Sequence, residues 1–127
     1  MNVQTIAAVA FGGAIGSVAR YLVGVEAGKL LGLNFPWGTL IINVTGSMAL
    51  GILAELFALR WNADEATRIF LTIGLCGGFT TFSAFSLDTV TLINRGEVGT
   101  ALSYVIASVI LSVLALFAGL YLVRAVT

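Results

Sequence analysis

The sequence predicts an all-α membrane protein with four transmembrane helices, and both its composition and its apolar stretches support that fold class. Of its 127 residues, 59% are hydrophobic and 9% are charged, and the mean hydropathy is +1.07. A soluble domain carries about 25% charged residues, so a chain this poor in charge cannot form a water-facing surface. We therefore expect residues 1–127 to form a single four-helix transmembrane domain.

Four apolar stretches have the length of a membrane span, which is roughly 20 residues. They cover about residues 3–23, 39–59, 68–93 and 99–123, and the segments between them contain most of the charges. No Lys or Arg precedes the first stretch. We therefore expect it to remain a helix rather than to act as a cleaved signal.

The third stretch has an unusual middle, which reads GLCGGFTTFS at residues 74–83. Adjacent glycines followed by adjacent threonines are poor helix formers. One interpretation is a helix with a tolerated kink. The other is a third helix broken near the bilayer midplane, where a broken backbone must be satisfied internally or line a polar cavity. Freed carbonyls in such a segment can hold a cation.

The basic residues are divided evenly between the two sides of a four-span protein. The side with both termini carries Arg60, Arg68 and Arg124, and the other side carries Arg20, Lys29 and Arg95. Cytoplasmic loops normally carry an excess of Lys and Arg. The even division predicts dual topology and an antiparallel homodimer, and an undetected bias from the amino terminus is the alternative. Because six acids cancel six basic residues, there is no net charge to attract nucleic acid.

Residues four apart share a helix face, and the first span carries a stripe of glycines that includes Arg20, whereas the second span carries a stripe of mostly polar residues. Asn43 lies on such a stripe of the second span. An amide in the hydrocarbon region needs a partner, which is either another helix or a bound ligand. On the first span, Arg20 either snorkels to the membrane surface or raises the local anion concentration at a pore mouth.

The third and fourth spans carry further candidate ligands. Tyr104, Ser108 and Ser112 align on the fourth span and form either a hydroxyl-lined track or ordinary bonds back to their own helix. Phe82 and Phe85 share a face of the third span, where they either pack or turn positive ring edges towards a small anion. Weak binding of this kind suits conduction.

Catalytic chemistry has little support in the composition. The chain has one cysteine, Cys76, and no histidine. Zinc sites built from Cys and His and histidine-based triads are therefore excluded. An enzyme is the least expected class of protein.

Several motifs identify a family resemblance. The run GGFTTFSAFS at residues 77–86 resembles the signature of the small bacterial fluoride channels, the CrcB/Fluc family. GSVARY at 16–21, PWGTL at 36–40 followed by Asn43, and RG at 95–96 are similar to further motifs of that family, in the same order. The resemblance covers nearly the whole chain.

The resemblance implies a dual-topology homodimer with two pores along the subunit interface. It implies a fluoride pathway lined by Asn43, Phe82, Phe85, Tyr104, Ser108 and Ser112. It also implies one central structural sodium ion, held by the backbone carbonyls of Gly77 and Thr80 from both subunits, and a water-filled vestibule that contains Arg20. No organic cofactor is implied. Two positions depart from the family pattern, because Asp88 stands where Glu is frequent and Ala84 where Thr is frequent.

Three hypotheses of function follow. The resemblance implies a passive fluoride channel, a multi-pass protein of the bacterial inner membrane that relieves fluoride toxicity. A small multidrug exporter has similar architecture but needs a membrane-embedded Glu in its first span, and FGGAIG at residues 11–16 contains none. The third hypothesis is a structural subunit without transport, in which the polar stripes only hold helices together.

Overall fold

The computed structural model describes residues 1–127 and is helical throughout, with four segments long and apolar enough to cross a membrane. The first two are α1 (Val3–Leu31) and α2 (Trp37–Leu59). The third segment, Glu65–Asn94, contains α3 (Glu65–Ile69), a π-helical stretch (Phe70–Cys76), α4 (Gly77–Phe79) and α5 (Phe82–Asn94). The fourth is α6 (Val98–Val126). The prediction of an all-helical chain with four membrane-length segments is confirmed.

The first helix is longer than the sequence predicts. It begins after Asn2, whose side chain accepts a hydrogen bond from the Thr5 amide at 2.9 Å, and continues to Leu31 instead of ending near residue 23. The added residues place Glu26 and Lys29 one turn apart, where their exposed side chains pair at 3.3 Å. Charged residues that were assigned to a connection therefore lie on a helix that extends beyond the apolar stretch.

The third segment is interrupted at two threonines rather than at the adjacent glycines. Gly77 keeps helical dihedral angles, whereas Thr80 (φ −79°, ψ 157°) and Thr81 (φ −152°, ψ 116°) are extended. Gly78 serves close packing instead, because a Cβ on it would lie 2.6 Å from the Gly13 carbonyl oxygen of α1. Thr81 then caps α5 by accepting a hydrogen bond from the Ala84 amide at 3.1 Å.

Two seams of small residues hold the four segments together, as in other membrane helix pairs. In the seam between α1 and the third segment, a Cβ on Gly12 would lie 2.6 Å from the Phe70 carbonyl oxygen. In the seam between α2 and α6, a Cβ on Gly119 would lie 2.5 Å from the Met48 carbonyl oxygen. These seams place α2, α6 and the interruption of the third segment around one common space.

Candidate anion pathway

A groove of about 410 Å³ lies between α2, the third segment and α6. Most of the side chains and backbone positions predicted to form an ion site line this groove. They are Asn43, Gly77, Thr80, Phe82, Phe85, Ser108 and Ser112. Residues that are distant in sequence thus meet at the interruption of the third segment, whereas Tyr104 and Arg20 lie outside the groove lining.

Asn43 connects α2 to the interrupted backbone. Its Nδ2 donates to the Thr81 carbonyl oxygen at 3.0 Å, and its Oδ1 accepts from the Thr81 amide at 2.8 Å. The interhelical role considered for this amide is therefore present in the structure. One N–H of the Asn43 amide is not used by these two bonds, because a primary amide carries two donors.

The interruption changes the hydrogen bonding of the carbonyls that precede it. In a continuous α-helix the amide of residue i+4 donates to the carbonyl of residue i. Here the Thr81 amide donates to Asn43 and the Ala84 amide donates to the Thr81 hydroxyl. The carbonyls of Gly77 and Thr80 consequently lack their helical donors. Carbonyl oxygens released in this way are the groups that coordinate Na⁺ at unwound helices, so these residues fit the predicted cation.

Arg20 satisfies another carbonyl at the same place. Its Nε donates to the Gly78 carbonyl oxygen at 3.1 Å. This oxygen would accept from Phe82 if the helix were continuous. Arg20 is half-buried, and this contact with the third segment was not expected from either interpretation of the sequence.

Two phenylalanine rings flank the groove beside the interruption. The Phe82 side chain is 77% exposed in the single chain. Its ring centroid lies 5.4 Å from that of Phe85, with the ring planes tilted by 46°. Phe85 in turn lies 5.3 Å from the ring of Tyr104. A tilted pair of this kind can present positive ring edges to an anion in the groove.

The hydroxyl groups of α6 differ in their hydrogen bonding. The Ser108 Oγ is buried and has no hydrogen-bond partner, so it does not bond back to its own helix. Ser112 is half-buried and also lines the groove. Tyr104 is fully buried, and its hydroxyl donates to Asp88 Oδ2 at 3.0 Å. The Ser108 hydroxyl therefore lies buried and without a partner beside the groove, whereas the Tyr104 proton is already donated.

A second space, which we call the basic cavity, has a volume of about 680 Å³ and lies between α1, the start of α2 and α5. Its charged lining residues are Arg20, Lys29, Arg95 and Asp88. Thr81 lines both the basic cavity and the groove. Sequence reasoning did not assign a role to Thr81 or Asp88. The only sequence feature that pointed to Thr81 was the adjacent pair of threonines. The only one that pointed to Asp88 was its departure from the family pattern, in which Glu is frequent at this position.

These features define a multi-pass membrane protein with a groove, lined by both polar and apolar residues, at an interrupted helical segment. Residues 7–120 match the family model described as CrcB-like protein, Camphor Resistance (CrcB). The chain belongs to this family.

Relatives extend the comparison over almost the full chain. A protein of Nitrobacter hamburgensis named fluoride-specific ion channel FluC 1 is 64% identical over 119 residues, 94% of each chain. One of Nitrobacter winogradskyi, named fluoride-specific ion channel FluC, is 64% identical over 95% of this chain and 96% of its own. An Agrobacterium fabrum protein with the same name is 57% identical over 94% of this chain and 95% of its own. These names describe ion channels, which is a non-enzymatic function.

Proposed function

We propose that this protein is a passive, fluoride-selective channel of the bacterial inner membrane that lowers cytoplasmic fluoride. The observation that carries the proposal is the groove, which brings an unpartnered buried hydroxyl, two phenylalanine edges and an amide to the interruption of a membrane-length segment. The names of the relatives supply the identity of the ion.

Fluoride would be held weakly along the groove. Ser108 and Ser112 offer hydroxyl protons, the second N–H of Asn43 offers an amide proton, and Phe82 and Phe85 offer ring edges. None of these groups carries a formal charge. Weak, multiple contacts allow an ion to enter and to leave again, which is the requirement for conduction.

The functional unit would be an antiparallel homodimer with two pores along its interface. In the single chain, Gly77 and Phe82 are exposed beside carbonyls that lack helical donors. Exposed, unsatisfied backbone is not tolerated against lipid, so a second copy of the chain is the cover we propose. The even division of basic residues between the two sides supports opposite orientations of the two copies.

A central sodium ion would join the two subunits through the carbonyls of Gly77 and Thr80. No cluster of three or more acidic, histidine or cysteine side chains forms in the structure, and these carbonyls are the oxygen donors at hand. The carbonyl oxygens would coordinate the ion at the subunit contact, and the ion would have a structural role.

Passive transport is favoured over proton-coupled export. The acid in α1 is Glu26, which lies on the extension beyond the apolar stretch and pairs with Lys29. An exporter that exchanges protons for cations needs a carboxylate within its first span. In acid surroundings, fluoride would cross the membrane as HF and would be trapped in the cytoplasm as the anion. Downhill exit through the channel would then lower the cytoplasmic fluoride concentration.

The test is fluoride release from liposomes that contain the purified protein, read with a fluoride electrode, with chloride release followed in parallel. Rapid fluoride release with little chloride release is the expected result. A proton gradient that drove fluoride uphill would contradict passive transport. Equal release of both ions would contradict selectivity, and release of neither would favour the structural subunit.

A further inference from the structure

An ion pair joins the carboxyl-terminal ends of α2 and α6, beyond the groove. The Arg124 Nε of α6 donates to the Glu55 Oε2 of α2. The Glu55 side chain is only 8% exposed, whereas that of Arg124 is 54% exposed. The guanidinium carbon of Arg124 also lies 5.3 Å from the centre of the Tyr121 ring. A buried carboxylate on one helix is therefore bound by a side chain that reaches in from the surface of the other.

Glu55 continues the face of α2 that packs against α6. It follows Gly51 by one helical turn, so the two residues share that face, and a Cβ on Gly51 would overlap the Leu116 carbonyl oxygen of α6. On α6, Val123 immediately precedes Arg124 and is buried. The ion pair therefore lies at the end of the α2–α6 seam.

The ion pair constrains α6 in a way that the glycines of the seam do not. Gly51 and Gly119 let the two backbones touch, but van der Waals contact has little directional preference. A charge-assisted hydrogen bond has a defined distance and angle. Because a buried carboxylate without a partner is costly, any rotation of α6 that withdraws Arg124 from Glu55 is opposed.

The rotation of α6 matters to the groove, because α6 supplies two of the hydroxyl groups in its lining, those of Ser108 and Ser112. The helix is continuous from Val98 to Val126. From the helical rise per residue, Arg124 lies about 18 Å beyond Ser112 along the axis. The ion pair does not touch the groove, but a rotation at this end of the helix would turn both serines relative to α2.

We propose that Glu55 is a positioning residue for the anion pathway, which sets the rotation of α6 through Arg124 and so keeps the Ser112 hydroxyl facing the groove. The inference rests on the proposed fluoride channel function. When the pair is broken, the glycines of the seam still hold α2 and α6 together. The dimer should then survive, and fluoride release should slow rather than stop.

The experiment is a double-mutant cycle on fluoride release from liposomes, with Glu55→Gln, Ser112→Ala and the double variant. Glu55→Gln keeps the size of the side chain and removes its charge, and it should slow release about threefold. Ser112→Ala should slow release by a similar factor in the wild-type background but cause no further loss in the Glu55→Gln background, where the hydroxyl no longer faces the groove. Residues this far apart have additive effects when they act independently.

Matched variants separate positioning from a general loss of stability. Arg124→Lys keeps a positive charge that can reach the carboxylate, so its rate should stay near that of wild type. Arg60→Gln removes an exposed basic side chain from the same end of α2, where it bonds the Thr127 carbonyl, and it should leave the rate unchanged. Phe82→Ile changes the third segment, so it should slow release by the same factor with and without Glu55→Gln. Arg124→Met breaks the same pair from α6 and replaces Glu55→Gln in the cycle if that variant does not assemble.

The outcomes are distinguishable. A Glu55→Gln rate equal to that of wild type, or a Ser112→Ala cost that is equal in both backgrounds, would overturn the inference while fluoride release itself persists. An equal cost together with poorer recovery of the dimer would assign the ion pair to stability alone. Absence of fluoride release from wild-type protein would overturn the proposed function and the inference together.

Discussion

Inside a bilayer every backbone polar group needs a hydrogen-bond partner within the protein. The α2–α6 seam and the interruption at Thr80 and Thr81 meet this requirement in opposite ways. Along the seam both helices are continuous, so their backbone is bonded within each helix, and glycines such as Gly51 and Gly119 let the backbones touch. At the interruption the helical donors are lost, and side chains from other helices, Asn43 and Arg20, bond the exposed backbone. The seam gives cohesion, and the interruption gives polar groups that a ligand can reach.

The difference explains why function concentrates in the third segment. Where polar backbone is satisfied within its own helix, a membrane helix can offer a ligand only its side chains. Where the polar backbone is bonded by a neighbouring helix instead, some hydrogen-bonding groups are left free for a ligand. Here these groups are the carbonyls of Gly77 and Thr80 and one N–H of Asn43. Changes in the seam should therefore affect assembly, and changes at the interruption should affect fluoride flux.

The largest effect is expected in the seam. A Cβ on Gly51 would overlap the Leu116 carbonyl oxygen, which belongs to rigid backbone. Gly51→Val should separate α2 from α6, at a cost of about 3 kcal/mol or more, and prevent recovery of a monodisperse dimer in detergent. Gly99→Val is the control, because nothing lies within 4 Å of a Cβ at that helical position. Normal size-exclusion profiles for both variants would argue against close contact in the seam.

The next largest effect is expected at Asn43. Asn43→Leu removes both bonds to Thr81 and strands two backbone groups, each of which costs about 1–3 kcal/mol when buried without a partner. We expect fluoride release to fall about 100-fold or more, because the groove loses both its shape and an anion donor. Thr45→Val is the matched control on the same helix, since the Thr45 hydroxyl bonds back to the Ile41 carbonyl. Equal rates for the two variants would contradict the role of Asn43.

A smaller effect is expected at the phenylalanine pair. Phe82→Ile keeps the apolar character of the side chain but removes the ring edge, and we expect release about tenfold slower with the dimer intact. Phe117→Ile on α6 serves as a control, because Phe117 is also exposed but lies outside the groove lining. Unchanged release from Phe82→Ile would show that ring edges do not hold the anion.

The smallest effect is expected at Ser112. Ser112→Ala removes one hydroxyl from a half-buried position, and water can replace it at little cost. Release should slow by about twofold or threefold. Ser103→Ala is the comparison, since the Ser103 hydroxyl bonds to the Gly99 carbonyl on the exposed side of the same helix. A loss at Ser112 as large as that at Asn43 would mean that the hydroxyl track, rather than the amide, limits flux.

Much of this architecture could be predicted from the sequence, because apolar length reports directly on membrane spans. The end of α1 could not, since Glu26 and Lys29 look like a connection until they are seen to pair on a helix that leaves the apolar stretch. The interruption lies within the predicted run of residues 74–83, but the sequence did not tell which of its glycines and threonines leave the helix. Glycine next to glycine predicts an unwound backbone, but Gly78 is needed for contact with Gly13, so the extended residues are Thr80 and Thr81.

The groove lining was predicted more fully than its hydrogen bonds. Residue type and spacing select Asn43, Ser108 and Ser112 as polar groups on helix faces. They do not reveal that Asn43 bonds Thr81 or that Tyr104 donates to Asp88, because these partners lie 38 and 16 residues away along the chain. Long-range partners depend on how the helices cross, and this in turn depends on the small residues in the seams.

The most direct test of the central claim asks whether fluoride passes through the groove. In a Cys76→Ala background, which removes the native thiol from the groove lining, Ser112→Cys places a thiol in the groove and Ser103→Cys places one on the exposed side of α6. Silver ion, added as nitrate to chloride-free liposomes, binds either thiol. Silver should block fluoride release from the Ser112→Cys protein and leave the Ser103→Cys protein active. Undiminished release from Ser112→Cys protein that mass spectrometry shows to carry silver would contradict a fluoride path through the groove.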